Sequence, residues 1–300
     1  MSQDQQLFPG QATQAAAMSV ASVDFASDSA MMIAWERALE TERTESPQPP
    51  LFSDPYARRL AGEKGEGLSE QFEAYAPVFG FTDWPVFHKT WTVVRTKFID
   101  DRLQDCFAAP SPPRQFVNLG AGLDTRVYRL ECLKGVEKAF EVDLDKVLTP
   151  KTKLFEHWGA EPICTLSATV AADLLDAGGL KSCLEAAGFG PAAPSVLLAE
   201  GLIMYLGERG ADFLTAVSGI AAAGSTFILN YMEGKQGEGG EPQPGTWSPD
   251  SLRAHLEPAG WRDFQFFVFG DDSLNFGRFP ADQEPNRAFS FMVCTKGTSE

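Results

Sequence analysis

The pattern of apolar positions changes along the chain at the proline-rich stretch 109–113. Before it, apolar residues such as Met31, Met32, Trp35 and Leu39 recur at helical spacing, and no strand pattern is present. After it, short apolar runs alternate with helix-compatible segments. The N-terminal part is therefore predicted to be all helical, with helices over residues 23–45, 68–81 and 86–107 and another that begins at Pro55.

Seven apolar runs after this point predict β-strands, at about 115–119, 138–143, 163–169, 195–199, 225–231, 263–269 and 289–295. Helical segments separate the first five, which predicts an α/β fold with a mostly parallel sheet and helices on both faces. The last two strands have no helix between them and are expected to form an antiparallel edge joined through residues 270–288. We expect a disordered tail at 1–22, a helical cap or lid at 23–108 and an α/β domain at 114–300. Within that domain, the Gly/Pro-rich stretch 233–250 is expected to be an exposed loop.

A glycine turn follows the first predicted strand, in the stretch Val117–Arg126 that reads VNLGAGLDTR. Gly120 and Gly122 allow a backbone to approach a ligand without a Cβ atom in the way. Asp124 stands where dinucleotide-binding proteins have a third glycine, and its carboxylate would repel a diphosphate. The turn alone is a weak signal, because glycines also end ordinary strands.

Three acidic residues follow later predicted strands. Asp143 lies about twenty residues past the glycine turn, where Rossmann-like folds place a carboxylate that accepts hydrogen bonds from ribose hydroxyls. Asp173 follows the third strand, and Glu200 interrupts the buried run of the fourth. The alternatives are helix caps for the two aspartates. For Glu200 the alternative is a salt bridge with Arg95 or Arg126, since a buried carboxylate requires a partner.

The composition excludes several kinds of partner. The net charge of −16 opposes binding to nucleic acid and to anionic membranes. Five cysteines without a CxxC pair and three scattered histidines predict reduced thiols and no metal site. The first 36 residues contain no Lys or Arg, which argues against a secretory or transit peptide, so a cytoplasmic location is expected.

Four motifs, in order, resemble those of the leucine carboxyl methyltransferase superfamily: VNLGAGLDTRVYRL, FEVDLDKVLTPKTKL, AADL and LLAEGLIMYL. The upstream segments DFASDSAMMIAWERALE, LFSDPYARRL and VVRTKFIDDRL are similar to those of its small-molecule O-methyltransferases of the polyketide (tetracenomycin) type. The resemblance covers roughly residues 23–295. It implies a Rossmann-like class I methyltransferase fold and S-adenosyl-L-methionine as cofactor, released as S-adenosyl-L-homocysteine.

The resemblance also implies roles for individual residues at matching motif positions. Arg95 would bind the carboxylate of the cofactor, and Glu200 its methionine end. Gly120 and Gly122 would form the cofactor loop, and Asp143 would bind the ribose. Asp173 and Leu174 would contact the adenine.

The acceptor side of the site is less well defined by the sequence. His88 is the candidate general base, and Tyr205 or Tyr231 is a candidate to orient an acceptor; structural packing is the alternative for all three. Trp35, Trp84 and Trp91 are candidates for an aromatic wall, with core packing as the alternative. Arg37 is a candidate to hold an acidic substrate, against the expectation of an exposed helix charge. These residues complete the set of candidate site residues.

The predicted function is methyl transfer to a carboxyl or hydroxyl oxygen of a small, apolar or aromatic metabolite, by a monomer or homodimer. One alternative is a methyltransferase for the C-terminal leucine carboxyl of a protein, and another is a cofactor-binding regulator without catalysis. An NAD-dependent dehydrogenase is disfavoured by Asp124 and by the missing GxGxxG spacing.

Overall fold

The computed structural model describes residues 23–44, 48–79, 81, 84–234 and 245–297. The predicted disordered tail lies outside the described residues, as do residues 235–244 within the predicted exposed loop. None of the described helices combines the length and the apolar character needed to cross a lipid bilayer.

The N-terminal part is helical, as predicted. Its helices are α1 (Val23–Thr41), α2 (Ala57–Ala61), α3 (Lys64–Glu73) and α4 (Phe87–Phe107), with a 3-10 turn at Ala76–Phe79. The predicted helix over 68–81 is instead the end of α3 followed by this turn. Asp54 supports the start of α2, because its Oδ1 accepts the N–H of Ala57 at 3.1 Å.

The C-terminal part contains one seven-stranded sheet. Its strands are β1 (Gln115–Leu119), β2 (Lys138–Asp143), β3 (Leu166–Ala171), β4 (Ser195–Ala199), β5 (Thr226–Tyr231), β6 (Trp261–Phe269) and β7 (Asn286–Lys296). The strand order is β3-β2-β1-β4-β5-β7-β6. The first five strands pair in parallel, and β7 pairs antiparallel with both β5 and β6. The predicted α/β fold with an antiparallel edge is confirmed.

Helices cover both faces of this sheet. They are α5 (Arg126–Arg129), α6 (Asp145–Trp158), α7 (Ala177–Ala186), α8 (Gly210–Ile220) and α9 (Pro249–Leu256). Every residue of β1 and of β4 is buried, as is typical of central parallel strands that are covered on both faces. The strand order reverses between β1 and β4, so their carboxyl ends flank the position where open α/β sheets bind ligands.

Helix α4 belongs to the predicted cap range but packs directly on one sheet face. Its Trp91, Phe98 and Leu103 lie in the same buried cluster as Phe116 of β1 and Phe291 of β7. Helices α7, α8 and α9 cover the opposite face. The position of α4 therefore brings cap residues to the carboxyl edge of β4.

Candidate functional site

The glycine turn after β1 is held against the end of β2. The N–H groups of Gly120 and Ala121 both donate to the carbonyl of Val142, at 2.8 and 3.1 Å. Gly120 has a φ of +72°, and a Cβ atom added there would lie 3.1 Å from Leu202. Gly122 has a φ of +45°. Only glycine adopts this conformation at Gly120 without strain and without crowding its neighbour.

Asp143 lies directly beside this turn, at the carboxyl end of β2. Its Oδ2 accepts the N–H of Gly122 at 2.8 Å, and its Oδ1 accepts the N–H of Leu144 at 2.7 Å. Burial raises the pKa of Asp143, and the two backbone hydrogen bonds offset part of that increase. Each carboxylate oxygen has a second lone pair, so both remain able to accept a hydrogen bond from a ligand.

The end of β3 joins the same edge of the sheet. The N–H of Ala172 donates to the main-chain carbonyl of Asp143 at 3.1 Å. The neighbouring Asp173 is exposed, and its Oδ1 accepts the N–H of Leu175 at 2.9 Å. Leu174 is buried in the core cluster. Asp173 therefore forms a turn and does not cap the next helix, whose N-cap is Asp176, and its exposed carboxylate is accessible to a ligand.

Glu200 follows β4 and binds both arginines that the sequence offered as alternatives. Arg95 Nε lies 2.7 Å from its Oε1, and Arg126 Nη1 donates to its Oε2 at 2.6 Å. Burial acts to raise the pKa of Glu200, but the two guanidinium groups outweigh it and hold that pKa below its usual value. Glu200 is therefore an ionised carboxylate, with its side chain 15% exposed, at the carboxyl edge of a central strand.

The arginine side chain on α4 retains hydrogen-bonding capacity. Arg95 Nε forms an ion pair with Glu200, but its N–H does not point at the oxygen in hydrogen-bond geometry. Among the described residues this buried nitrogen has no hydrogen-bond acceptor. An unsatisfied buried donor is costly, so a ligand acceptor at this position would stabilise the site.

Arg126 is the centre of a buried cluster of charges beneath Glu200. Its Nε donates to Asp100 Oδ1 at 2.7 Å, and its Nη1 also contacts Asp124. Arg129 Nη1 donates to Asp100 Oδ2 at 2.7 Å. Burial opposes ionisation of Asp124, yet Arg126 lowers the pKa of that carboxyl far below its usual range. Asp124 thus fixes the guanidinium of an arginine inside the protein.

The low pKa of Asp124 predicts a pH-dependent contribution to stability. A carboxyl whose pKa is lower in the folded state stabilises the fold above its unfolded pKa of about 4, and this stabilisation is lost as the pH falls towards the folded value. We expect Asp124→Asn to be clearly less stable than the wild type at pH 7, with the difference shrinking below about pH 4. Urea denaturation of both proteins at pH 7 and at several pH values below 4 measures this difference in the free energy of unfolding. If the difference in stability between the two proteins did not shrink below pH 4, the low pKa of Asp124 would be contradicted.

The turn after Glu200 is fixed by the neighbouring strand. The N–H of Gly201 donates to Asn230 Oδ1 at 3.0 Å, and Asn230 Nδ2 donates to the carbonyl of Ser290 at 3.2 Å. Gly201 has a φ of +62°, which favours glycine. The position of Glu200 therefore depends on β4, β5 and β7 together.

Comparisons with known proteins agree with this geometry. The family model described as leucine carboxyl methyltransferase matches residues 30–217, well over half of the chain. The chain belongs to the leucine carboxyl methyltransferase family. A Frankia alni relative, named as an S-adenosyl-L-methionine-dependent methyltransferase, is 37% identical over 264 residues, which cover 88% of this chain and 82% of the relative. A Streptomyces avermitilis relative with the same activity in its name is 34% identical over 277 residues, covering 86% and 90%.

Solved structures show the same fold. A Thermobifida fusca protein named as a methyltransferase has a TM-score of 0.55 and 16% identity, covering 90% of this chain and 94% of its own. A DUF574 family protein from Streptomyces avermitilis has a TM-score of 0.58 and 13% identity, covering 89% and 97%. The class I methyltransferase fold is confirmed, and with the family the prediction of an S-adenosyl-L-methionine-dependent methyltransferase is confirmed too.

Of the candidate acceptor residues, Tyr205 lies in the same connection after β4 as Glu200. It follows Glu200 in the chain, its hydroxyl is hydrogen-bonded to Ser29 of α1, and it lies within the electrostatic influence of Arg95. Tyr231 is buried in the core, hydrogen-bonded to Ser290. Burial raises the pKa of the Tyr231 phenol, whereas Tyr205 is 46% exposed. Both phenols are protonated at neutral pH, because the ordinary pKa of a phenol is near 10.

His88 is part of a separate buried cluster in the cap of this family member. Its Nδ1 lies 2.9 Å from Glu36 Oε2, and the same carboxylate accepts hydroxyl hydrogen bonds from Thr92 at 2.5 Å and Ser69 at 2.7 Å. Burial opposes ionisation of Glu36, but its interactions with His88, Thr92 and Ser69 together outweigh burial and lower the pKa of Glu36. The cluster joins α1, α3 and α4. A role for His88 as general base stays a prediction.

The three candidate tryptophans are all engaged in packing contacts. Trp35 lies under the guanidinium of Arg58 at 3.9 Å. Trp84 stacks on Phe269 at 5.8 Å, and Trp91 contacts Phe289 at 5.1 Å. These contacts correspond to the packing alternative; contact with an acceptor stays a prediction.

The expectation that Arg37 is an exposed helix charge is wrong, because this residue is buried, with its side chain 9% exposed. Its guanidinium binds Asp54 and the glycine turn. Sequence reasoning also missed Asp54, Asp100 and Arg129 as members of the site. A charged pair three residues apart, Arg126 and Arg129, directly after the glycine turn was the available signal.

Proposed function

We propose that this chain transfers the methyl group of S-adenosyl-L-methionine to a carboxyl or hydroxyl oxygen of a small, apolar or aromatic metabolite. The observation that carries the proposal is the meeting of the glycine turn, Asp143 and Glu200 at one carboxyl edge of the sheet. Open α/β sheets bind ligands at this edge, where the strand order reverses.

The residues at this edge fit the proposed cofactor. The buried Arg95 Nε without a hydrogen-bond acceptor suits the carboxylate of the methionine end, and the ionised Glu200 suits its ammonium group. The free lone pairs of Asp143 suit the ribose hydroxyls. The exposed Asp173 and the apolar Leu174 next to it suit the amino group and the ring of adenine.

The cofactor supplies, when bound, a methyl group activated by a positively charged sulfur. The protein then has to align the acceptor oxygen in line with that methyl group and exclude water. Tyr205, which interacts with Ser29 of α1 and with Arg95 of α4, can orient an acceptor as a hydrogen-bond donor, because a phenol with a pKa near 10 is protonated at neutral pH. A carboxylate acceptor is ionised at neutral pH and needs no base.

A hydroxyl acceptor sets a different requirement. A phenol has a pKa near 10, so its methylation benefits from a general base or from nearby positive charge. Arg95 and Arg126 carry positive charge at the site, but Glu200 compensates them. His88 remains the candidate base, with Glu36 as its partner.

A second candidate function is methylation of the C-terminal leucine carboxyl of a protein. The observation that favours it is the family match itself, which covers residues 30–217 and carries the name of that reaction. The upstream segments of the chain resemble the small-molecule branch, which favours the first candidate.

A methyl-transfer assay separates these functions. The full-length chain is incubated with S-adenosyl-L-methionine labelled in the methyl group and with a cell extract, and label is then measured in the small-molecule and protein fractions. We expect label in the small-molecule fraction; release of that label by mild alkali identifies a methyl ester, and retention an ether. Label only in protein would favour the second candidate, and no transfer at all would contradict both. The same assay with the Glu200→Gln variant measures the background incorporation of label.

A further inference from the structure

Helix α1 of the cap is connected directly to the glycine turn through Arg37. The guanidinium of Arg37 donates through Nη2 to the carbonyl of Leu123 at 2.8 Å and through Nε to Asp54 Oδ2 at 2.8 Å. The Arg37 side chain is 9% exposed and the Asp54 side chain is fully buried. Leu123 directly follows Gly122, so this hydrogen bond holds the part of the chain that the proposed function assigns to the cofactor.

Asp54 makes a second connection between the cap and the turn. Its Oδ2 also accepts the hydroxyl of Thr125 at 2.7 Å, and Arg129 Nε lies 3.7 Å from the same oxygen. Its Oδ1 accepts the N–H of Ala57 at the start of α2. One carboxylate therefore joins α1, α2 and the residues that follow the glycine turn.

From Thr125 the polar contacts continue to Glu200. Arg129 donates to Thr125 Oγ1 at 3.0 Å and to Asp100 at 2.7 Å, and Asp100 accepts from Arg126 at 2.7 Å. Arg126 donates to Glu200. The members of this path on α4 and α5 are at most 7% exposed at their side chains, so their interactions are weakly screened by solvent.

Helix α1 also contacts the other side of the site. Ser29 is hydrogen-bonded to Tyr205, which follows β4, while Arg37 contacts the turn that follows β1. Eight residues of helix separate these contacts, about 12 Å along the axis at 1.5 Å per residue. The helix thus lies across the carboxyl edge of the two central strands, where an acceptor has to be enclosed.

We propose that Arg37 is a positioning residue that couples the cofactor turn to helix α1, so that cofactor binding at the turn stabilises α1 over the acceptor site. The inference rests on the proposed function, because it takes S-adenosyl-L-homocysteine as a ligand of that turn. A ligand that fixes the turn favours the docked helix, and by linkage the docked helix favours the ligand to the same extent. Arg37 itself touches no reacting atom.

Hydrogen exchange of the full-length chain, with and without S-adenosyl-L-homocysteine, tests the coupling. In the wild type we expect the ligand to slow amide exchange both in the glycine turn and in α1. In Arg37→Met the ligand should still protect the turn but no longer α1, and its affinity should fall by about 5- to 150-fold, the range of typical coupling energies. Protection of α1 that persists in this variant would overturn the proposal.

Two further variants keep the test decisive. Arg58→Met is the matched control, because Arg58 lies in the same cap, where it contacts Trp35 and Glu42, and it should behave as the wild type. Arg37→Lys retains the charge near Asp54 but has no fork to reach two acceptors, so we expect partial coupling even if Arg37→Met does not fold. Lack of protection at the turn in the wild type would instead refute the proposed function, while protection of the turn without α1 would refute only the coupling.

Discussion

Replacing Glu200 with glutamine should weaken binding of S-adenosyl-L-methionine by roughly 10- to 100-fold. Glutamine keeps the size of the side chain but removes the charge that would face the ammonium group of the cofactor. A hydrogen bond to a charged group contributes about 1.5–3 kcal/mol, and each 1.4 kcal/mol corresponds to about a tenfold change in affinity. The substitution also leaves Arg95 and Arg126 without their shared carboxylate.

Isothermal titration calorimetry of the two proteins measures this change. Glu208→Gln is a suitable control, because Glu208 is exposed and lies in the same connection after β4. Its affinity should equal that of the wild type. If Glu200→Gln bound the cofactor as tightly as the wild type, Glu200 would have only a structural role as the partner of the two arginines.

The second large effect concerns the stability of the buried charge cluster. Asp100→Asn should lower the free energy of unfolding by about 3–5 kcal/mol, the typical cost of removing one partner from a buried ion pair. Asp100 accepts hydrogen bonds from both Arg126 and Arg129, and all three side chains are nearly inaccessible to solvent. Without the Asp100 carboxylate, the buried positive charges of Arg126 and Arg129 lose part of the negative charge that neutralises them.

The adjacent residue provides the matched control. Asp101 pairs with Lys97 at 2.6 Å, but both side chains are partly exposed, so Asp101→Asn should cost about 0.2–1 kcal/mol. Urea denaturation monitored by circular dichroism compares the two variants with the wild type. Equal effects of both substitutions would mean that burial of the cluster contributes little to stability.

The central strands were predictable from the sequence because they are buried on both faces. Such strands appear as short continuous apolar runs, and β1, β2 and β4 have the bounds that the runs predict. The position of β7 in the sheet could be predicted only in part. The sequence predicts that it pairs with β6, but its insertion beside β5 depends on long-range packing of both sheet faces.

The acids at the strand ends were found by the same reasoning. Glu200 interrupts an apolar run, so a buried carboxylate that needs a cationic partner could be inferred, and the structure provides Arg95 and Arg126 together. The sequence presented the two arginines as alternative partners, so it did not predict that both bind Glu200 at the same time.

The connection between cap and turn could not be predicted. Arg37 and Asp54 are seventeen residues apart, and each has an ordinary local explanation as a helix charge or a helix cap. Their burial results from the docking of α1 against residues far along the chain, such as Leu123. Local patterns carry no information on such a contact.

Calorimetric titration of the full-length chain with S-adenosyl-L-homocysteine and, separately, with NAD tests the central claim most directly. The claim is that the glycine turn, Asp143 and Glu200 form the pocket for a sulfonium cofactor and its product. We expect saturable binding of S-adenosyl-L-homocysteine at one site per chain and no binding of NAD. Binding of NAD alone would contradict the account.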